Sequence, residues 1–156
     1  MSAPPRQRRR LHPGQKKLII ASIALFLGSW LPWFSTNVGN VTAMWFSFDF
    51  GSETLMLAGQ PGLWTWMASF MALAGALAPW RMFSVASAGL AALVSLGLGG
   101  FYLIRALTGS YFFAQANWLP GPGLVFLAGG AIMCLIAARE IRTLTEVPVG
   151  APKLIS

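Results

Sequence analysis

The stretch "FSVASAGLAALVSLGLGGFYLIRAL", Phe83 to Leu107, is a long apolar run with a single charged residue, Arg105. A transmembrane helix needs about 20 predominantly apolar residues, and this run shows no strand-like alternation. Three further runs share its character and occupy Leu18 to Phe34, Leu63 to Trp80 and Leu124 to Ile141. Because lipid admits only helices or closed barrels as spans, the sequence predicts an all-α membrane protein, a bundle of four transmembrane helices.

The composition of the chain agrees with this prediction. Of its 156 residues, 56% are hydrophobic and 10% are charged, whereas an average soluble domain carries about 25% charged residues. The predicted transmembrane domain covers residues 18–141, between a tail of residues 1–17 and a tail of residues 142–156. The predicted outer loops cover residues 35–62 and 108–123.

Positive charge is concentrated before the first apolar run. The formal net charge is +7, and six of the eleven basic residues lie in the N-terminal tail: Arg6, Arg8, Arg9, Arg10, Lys16 and Lys17. No aromatic residue interleaves with the arginines, and no folded nucleic-acid module follows them. We therefore expect this tail to contact anionic lipid headgroups, and we expect no nucleic-acid partner.

The basic residues near the apolar runs predict the orientation of the helices, since Lys and Arg are retained on the cytoplasmic side. Arg81 separates the second and third runs, and Arg139, Arg142 and Lys153 lie near the C-terminus. Both predicted outer loops lack Lys and Arg. The chain is therefore predicted to be a multi-pass protein of the bacterial inner membrane, with both termini in the cytoplasm.

The first outer loop contains a pattern of its own. In "TAMWFSFDFGSETLMLA", Thr42 to Ala58, apolar and polar side chains alternate around Gly51 and Ser52. Alternation with period two around a Gly-Ser pair is typical of a β-hairpin, which we predict here. An interfacial or re-entrant helix is the competing interpretation, but it would bring Asp49 and Glu53 towards hydrocarbon at a cost in free energy.

Both predicted outer loops are rich in aromatic residues. They are Phe46, Phe48 and Phe50 in the first loop, and Tyr111, Phe112, Phe113 and Trp118 in the second. Contiguous apolar surface of this kind marks interaction sites. The two loops are predicted either to pack together as a lid over the helices or to form a docking surface for a partner protein.

Arg105 lies about one turn from the outer end of the third predicted helix. Three interpretations of this charge stay open. The side chain can snorkel to the headgroups, or it can form a structural ion pair with Asp49 or Glu53. The third interpretation is a binding site for an anion, a lipid phosphate or a quinone headgroup.

The sequence lacks the groups of familiar catalytic sites. His12 is the one histidine and Cys134 the one cysteine, so neither bis-histidine haem ligation nor a disulfide within the chain is possible. No Cys, His, Asp or Glu cluster has metal-ligand spacing, and no nucleotide fingerprint or nucleophile elbow is evident. We therefore predict a protein without enzymatic activity, catalytic residues, metal or cofactor.

Small residues in the predicted helices are expected to face inward, because close packing holds helices together in lipid. They are Ala68, Ala72, Gly75 and Ala76 in the second helix, Gly89, Gly97, Gly99 and Gly100 in the third, and Ala128, Gly129, Gly130 and Ala137 in the fourth. The pattern predicts a tight bundle without a wide pore.

The Ala-, Gly- and Trp-rich character, with "WLPW" at Trp30 to Trp33, resembles small four-helix, or tetraspan, proteins of bacterial inner membranes at the level of composition. The predicted four spans, the long first outer loop and "GLW" at Gly62 to Trp64 also look like the claudin plan. The outer-loop cysteine pair of that family is missing here, and GLW opens the second predicted helix. No residue role is therefore carried over.

These features predict an accessory, assembly or stabilising subunit of a larger membrane complex, in contact with lipid and with a partner protein or a second copy of itself. One alternative is a small oligomeric transporter or channel. Another is a lipid- or quinone-binding membrane protein that uses Arg105. A polar path through the helices would favour transport, whereas a headgroup-shaped pocket beside Arg105 would favour lipid binding.

Overall fold

Four α-helices and three short β-strands make up the described part of the chain. A computed structural model describes residues 12–36, 40–42, 61–109 and 117–143. The helices are α1 (Pro13–Trp30), α2 (Pro61–Leu77), α3 (Arg81–Leu107) and α4 (Pro122–Thr143). The strands are β1 (Pro32–Thr36), β2 (Asn40–Thr42) and β3 (Trp118–Pro120).

Helix α1 begins five residues before the predicted start at Leu18, because a capping box lies ahead of the apolar run. Nδ1 of His12 accepts a hydrogen bond from the backbone N–H of Gly14, and Oε1 of Gln15 accepts one from the backbone N–H of His12. Pro13 occupies the first turn, where its missing N–H would be unpaired in any case. The single histidine therefore has a structural role.

Proline ends both α1 and α2 before their predicted ends. A residue that precedes proline is disfavoured in helical conformation, and proline itself cannot donate to the helix. Pro32 and Pro79 act in this way. The observed ends are Trp30 and Leu77 instead of Phe34 and Trp80.

Helices α3 and α4 lie close to their predicted bounds. They have 27 and 22 residues, which gives lengths of about 40 and 33 Å at about 1.5 Å per residue. The hydrocarbon core of a bilayer is about 30 Å thick. Within the residues that the structure describes, these are the two helices long and apolar enough to cross a membrane.

The prediction of four transmembrane helices is therefore wrong. Helices α1 and α2 have 18 and 17 residues and are only about 27 and 26 Å long. The first turns of α1 also hold Gln15, Lys16 and Lys17, which reduce its apolar character. Neither helix is among the candidate spans, so a bundle of four spans is not supported.

A small antiparallel sheet lies beyond the C-terminus of α1, with its strands in the order β2-β1-β3. Phe34 of the central strand pairs with Val41 on one side and with Pro120 on the other. Pro32 is tolerated because it is the first residue of its strand. The prediction placed no strand at β1 or β3, and the predicted hairpin of Thr42 to Ala58 lies outside the described residues except for Thr42, which ends β2.

The helices pack side by side in chain order, and α4 closes the ring against α1. Neighbouring helices are antiparallel. Oγ of Ser29 lies 2.8 Å from Oγ1 of Thr65, so the C-terminus of α1 meets the N-terminus of α2. Nε2 of Gln15 donates to the carbonyl of Ala78 at 3.2 Å, so the N-terminus of α1 meets the C-terminus of α2. We call the end that carries the sheet the sheet end, and the opposite end, with the N-terminus of α1 and the α2–α3 turn, the basic end.

Small side chains fill the interior between the helices. The inward orientation predicted for the second helix is confirmed, since Ala68, Ala72, Gly75 and Ala76 are all buried. The same prediction is wrong for most of the third, where alanines and serines such as Ser84, Ala88 and Ala91 are buried. Its outward glycines are Gly89, Gly97 and Gly100, and Gly99 faces inward. In α4, Gly130 and Ala137 are buried, whereas Ala128 and Gly129 are exposed.

Large apolar side chains lie on the outer surface of every helix. Exposed examples are Ile20, Ile23 and Phe26 of α1, Met67 and Phe70 of α2, Leu90, Leu93 and Ile104 of α3, and Val125, Ile132 and Leu135 of α4. The buried polar side chains are hydroxyls, including Ser22, Ser29, Thr65, Ser69 and Ser84. Small and weakly polar residues thus make up most of the interior, together with leucines such as Leu18, Leu25 and Leu127, and most of the large apolar side chains lie outside.

One buried hydroxyl pair links α1 to α2. Ser29 and Thr65 are both fully buried, and each hydroxyl also lies within hydrogen-bonding distance of a carbonyl of its own helix. Pairs of this kind between apolar helices contribute about 0.6 kcal/mol. A double-mutant cycle of Ser29→Ala and Thr65→Ala, measured by unfolding in detergent, should give a coupling energy of that size. A coupling near zero would mean that the two hydroxyls are satisfied within their own helices.

Candidate functional site

The sheet end is built around Trp33, which β1 places over the last turn of α1. The Trp33 side chain is 2% exposed, and its Nε1–H donates a hydrogen bond of 2.8 Å to the carbonyl of Gly28. That carbonyl belongs to the last turn of α1, whose carbonyls lack partners within the helix. Trp33 therefore closes the C-terminus of α1 and fixes the direction in which the strand leaves it.

Two glycines let the start of α4 approach β1 at this point. The backbone N–H of Gly121 donates to the carbonyl of Trp33 at 2.7 Å. A Cβ on Gly123 would lie 2.7 Å from Cδ1 of Trp33 and 2.9 Å from the carbonyl oxygen of Pro32. The "GPG" of residues 121–123 thus joins α4 to the sheet through backbone contact that a larger residue would prevent.

Aromatic rings continue from Trp33 across the sheet end. Trp33 meets Tyr102 of α3 edge-on, with ring centroids 5.8 Å apart, and Phe34 meets Trp118 of β3 at 5.6 Å. Edge-on pairs of this kind stabilise packing beyond the area that they bury. These four residues form what we call the aromatic cluster, which holds α1, α3 and the sheet together.

Arg105 lies beside the aromatic cluster and is half-buried. The guanidinium carbon of Arg105 is 5.4 Å from the ring centroid of Phe101, and Phe101 packs edge-on against Tyr102. A guanidinium at this distance over a ring is attracted by about 0.5 to 1 kcal/mol at an exposed site. The predicted partners Asp49 and Glu53 lie outside the described residues, so the ion pair stays a prediction.

The predicted docking residues are placed only in part. Trp118 is half-buried, because β3 turns its ring towards Phe34. It is thus a structural member of the sheet end as well as part of the predicted surface. The other six predicted docking residues lie outside the described residues: Phe46, Phe48, Phe50, Tyr111, Phe112 and Phe113.

The basic residues lie at the opposite end. Lys17 of α1 forms an ion pair with Glu140 of α4, and both side chains are partly exposed. Arg81 begins α3, and Arg139 and Arg142 lie in the last turns of α4. Lys16 and Lys17 are described, whereas Arg6, Arg8, Arg9 and Arg10 of the predicted lipid-binding tail lie outside the described residues.

Replacement of Arg105 tests its structural role. The change Arg105→Leu should leave membrane insertion intact and raise the rate of protease cleavage in residues 35–62 and 108–123 about two- to fivefold, because the predicted ion pair with Asp49 or Glu53 of the first loop would be lost. Limited proteolysis of membranes whose outer face is accessible to the protease measures this rate. Arg105→Lys, which retains the charge, is the matched variant. Unchanged cleavage in Arg105→Leu would contradict a structural role.

Sequence reasoning missed the inner members of this site. It placed Trp33 within the first predicted helix, Leu18 to Phe34, and gave Tyr102, Gly121 and Gly123 no role. The available signal was proline: Pro32 ends α1 early, and Pro122 begins α4 directly after Gly121. Proline at these positions places the intervening residues in turns and strands.

Three features of the described chain bear on its function. They are the aromatic cluster at the sheet end, the charged residues at the basic end and the outward apolar faces of the helices. No protein-family model, curated protein or solved structure matches the chain.

Proposed function

We propose that the protein is a non-enzymatic integral membrane protein that serves as an accessory, assembly or stabilising subunit of a larger complex in the bacterial inner membrane. The observation that carries this proposal is the distribution of side chains in the helices, where most large apolar residues face outward and most interior residues are small. Exposure of such a surface to water would be unfavourable. Soluble monomeric proteins accordingly seldom carry apolar patches larger than a few hundred Å².

The lengths of the helices suggest which faces meet lipid and which meet a partner. Helices α3 and α4 are long and apolar enough to cross the membrane, so lipid is a suitable environment for residues such as Leu93 and Leu135. Helices α1 and α2 are shorter, yet their outer residues Ile23 and Met67 are also apolar and exposed. An apolar face on a helix that falls short of the bilayer thickness suits a partner protein in the membrane.

The interior supports a subunit role over the transporter or channel alternative. Where the structure describes the helices, mostly alanine, glycine and serine residues lie between them, with a few leucines. Helices α2 and α3 approach closely enough that a Cβ on Gly75 would overlap Oγ of Ser87. A path for a solute would need polar groups separated by open space.

The distribution of charge supports an orientation with the basic end in the cytoplasm. Five cations lie at the basic end: Lys16, Lys17, Arg81, Arg139 and Arg142. Among the described residues, one cation, Arg105, lies towards the sheet end. Basic residues are retained on the cytoplasmic side during insertion. The sheet end and its aromatic loops would then face the outer side of the membrane.

Photo-crosslinking in intact cells tests the subunit role. A photoreactive phenylalanine analogue in place of Met67 or Ile23 should give one discrete adduct with another membrane protein, since both residues lie on the outer face proposed to meet the partner. The same analogue in place of Leu93 of α3 is the control and should give no discrete protein adduct. Mass spectrometry of the adduct identifies the partner. A monodisperse protein without adducts at Met67 and Ile23 would contradict the proposal.

A further inference from the structure

We propose that the basic end binds the phosphate groups of anionic phospholipids, with Arg81 and Arg139 as its main contacts. The inference rests on the proposed membrane location but not on the proposed partner protein. It extends lipid contact from the N-terminal tail to a surface that the folded helices build.

Three contacts show that the charges share one surface. Gln15 bonds the carbonyl of Ala78, which brings the start of α1 to the α2–α3 turn. A Cβ on Gly14 would lie 2.7 Å from Cγ1 of Ile141, so the start of α1 also meets the end of α4. Helix α3 packs on α4 in the antiparallel sense, which places its first residue, Arg81, at the same end. Arg81, Arg139 and Arg142 therefore lie at the same end of the helices as the N-terminus of α1.

The charge at this end is largely uncompensated within the described residues. Four cations, Lys16, Lys17, Arg81 and Arg139, lie at this end with one carboxylate, Glu140, which gives these five residues a formal net charge of +3. Glu140 is already paired with Lys17. Arg81 and Arg139 are exposed, and neither forms an ion pair in the part of the chain that the structure describes. A surface of this charge attracts an anionic partner.

The position of Arg81 argues against a role in helix stability. It is the first residue of α3, and the first turn has neither an acidic residue nor a side chain that caps its N–H groups. The positive end of the helix dipole lies here, so a cation is unfavourable for the helix itself. Uncapped backbone N–H groups and a guanidinium at one helix N-terminus are favourable for a phosphate.

Exposed apolar residues next to the cations identify the partner as a lipid surface. Trp80 is 72% exposed and Met82 is 85% exposed, on either side of Arg81. Tryptophan prefers the headgroup level of a bilayer, where its ring contacts the acyl chains and its N–H remains hydrated. An anionic lipid offers both a phosphate for Arg81 and an apolar environment for its two neighbours. A nucleic acid or an acidic peptide offers the charge alone.

Competition between lipids tests this inference on the full-length protein in detergent. Dioleoylphosphatidylglycerol is titrated against dioleoylphosphatidylcholine, and native mass spectrometry counts the retained lipids. The wild type should retain phosphatidylglycerol preferentially. In the double variant Arg81→Gln and Arg139→Gln, the preference for phosphatidylglycerol should fall about thirtyfold, because each cation near an anionic surface contributes about fivefold to the affinity.

Two further variants separate the folded surface from other sources of charge. The double variant Arg81→Lys and Arg139→Lys keeps both charges and should keep the preference. Replacement of Arg6, Arg8, Arg9 and Arg10 by Gln should lower the preference through the tail's own lipid contacts, but in that background the paired Gln change at Arg81 and Arg139 should still cost about thirtyfold. No preference in the wild type, or a preference that disappears only with the tail arginines, would overturn the inference. Either result leaves the crosslinking test of the partner protein unaffected.

Discussion

Replacement of Gly28 by leucine is expected to destabilise the protein by about 3 kcal/mol and to lower its unfolding midpoint by about 10 °C. A Cβ at this position would lie 2.8 Å from the backbone nitrogen of Leu127 and 3.0 Å from the carbonyl oxygen of Gly123. Both neighbours are backbone atoms of α4, so no side chain can rotate away. Helices α1 and α4 would have to separate, and Trp33 would lose the geometry of its bond to the Gly28 carbonyl.

The matched control for this change is Gly97→Leu in α3. No atom outside its own helix segment lies within 4 Å of the position that a Cβ on Gly97 would occupy. The two variants add the same apolar volume to a helical glycine, one between helices and the other on the outer surface. Thermal unfolding in the same detergent measures both, and a Gly97→Leu variant as unstable as Gly28→Leu would contradict the assigned packing of α1 on α4.

Replacement of Trp33 by alanine should cost about 3 to 5 kcal/mol, which is the range for removal of a large buried side chain. Trp33 touches three parts of the molecule: the carbonyl of Gly28, the ring of Tyr102 and the start of α4 at Gly123. Its loss removes the cap of α1 and leaves a cavity in the aromatic cluster. Unfolding midpoints, together with the near-ultraviolet circular dichroism of the aromatic residues, measure the effect.

Two variants divide the contribution of Trp33 into its parts. Trp33→Phe keeps a ring but loses the donor to the Gly28 carbonyl, and should cost about 1 to 2 kcal/mol. Trp30→Ala removes a tryptophan that lies exposed at the end of α1 and packs on Phe26, and should cost less than Trp33→Ala in detergent. Equal losses at Trp30 and Trp33 would contradict the central position assigned to Trp33.

The long apolar run of α3 and the run of α4 could be predicted from the sequence, because length and hydropathy are properties of the chain itself. The failure of α1 and α2 to qualify as spans could be judged only once their ends were known. Pro32 and Pro79 shorten them, and the capping box at His12 extends α1 into polar residues rather than apolar ones. Local chemistry at the helix ends therefore overrode the hydropathy pattern.

The direction in which each small residue faces was less predictable. Glycine allows close approach wherever it occurs, so Gly28, Gly97 and Gly130 look alike in the sequence. The contacts of the neighbouring helices decide their roles: Gly130 lies against Leu25, whereas Gly97 faces outward. The composition indicates a tightly packed interior, but it does not identify the glycines that allow the close packing. The packing of α1 on α4 identifies Gly28 and Gly130 as two of them.

The sheet end was predicted least well, because its residues come from separate parts of the chain. Trp33, Tyr102 and Gly123 are far apart in sequence, and none belongs to a motif with a known role. The strand pairing of β1 with β3 brings "WLPW" next to "GPG". Long-range pairing of this kind follows from tertiary packing rather than from a local pattern.

Labelling of single cysteines in intact membranes tests most directly whether the outward apolar surface of α3 and α4 lies in lipid. In a Cys134→Ala background, Leu93→Cys and Leu135→Cys should resist a water-soluble maleimide until the membranes are dissolved in SDS. Arg81→Cys should react from one side of the membrane and Leu119→Cys, at the sheet end, from the other. Labelling of Leu93→Cys or Leu135→Cys in intact membranes would contradict the account.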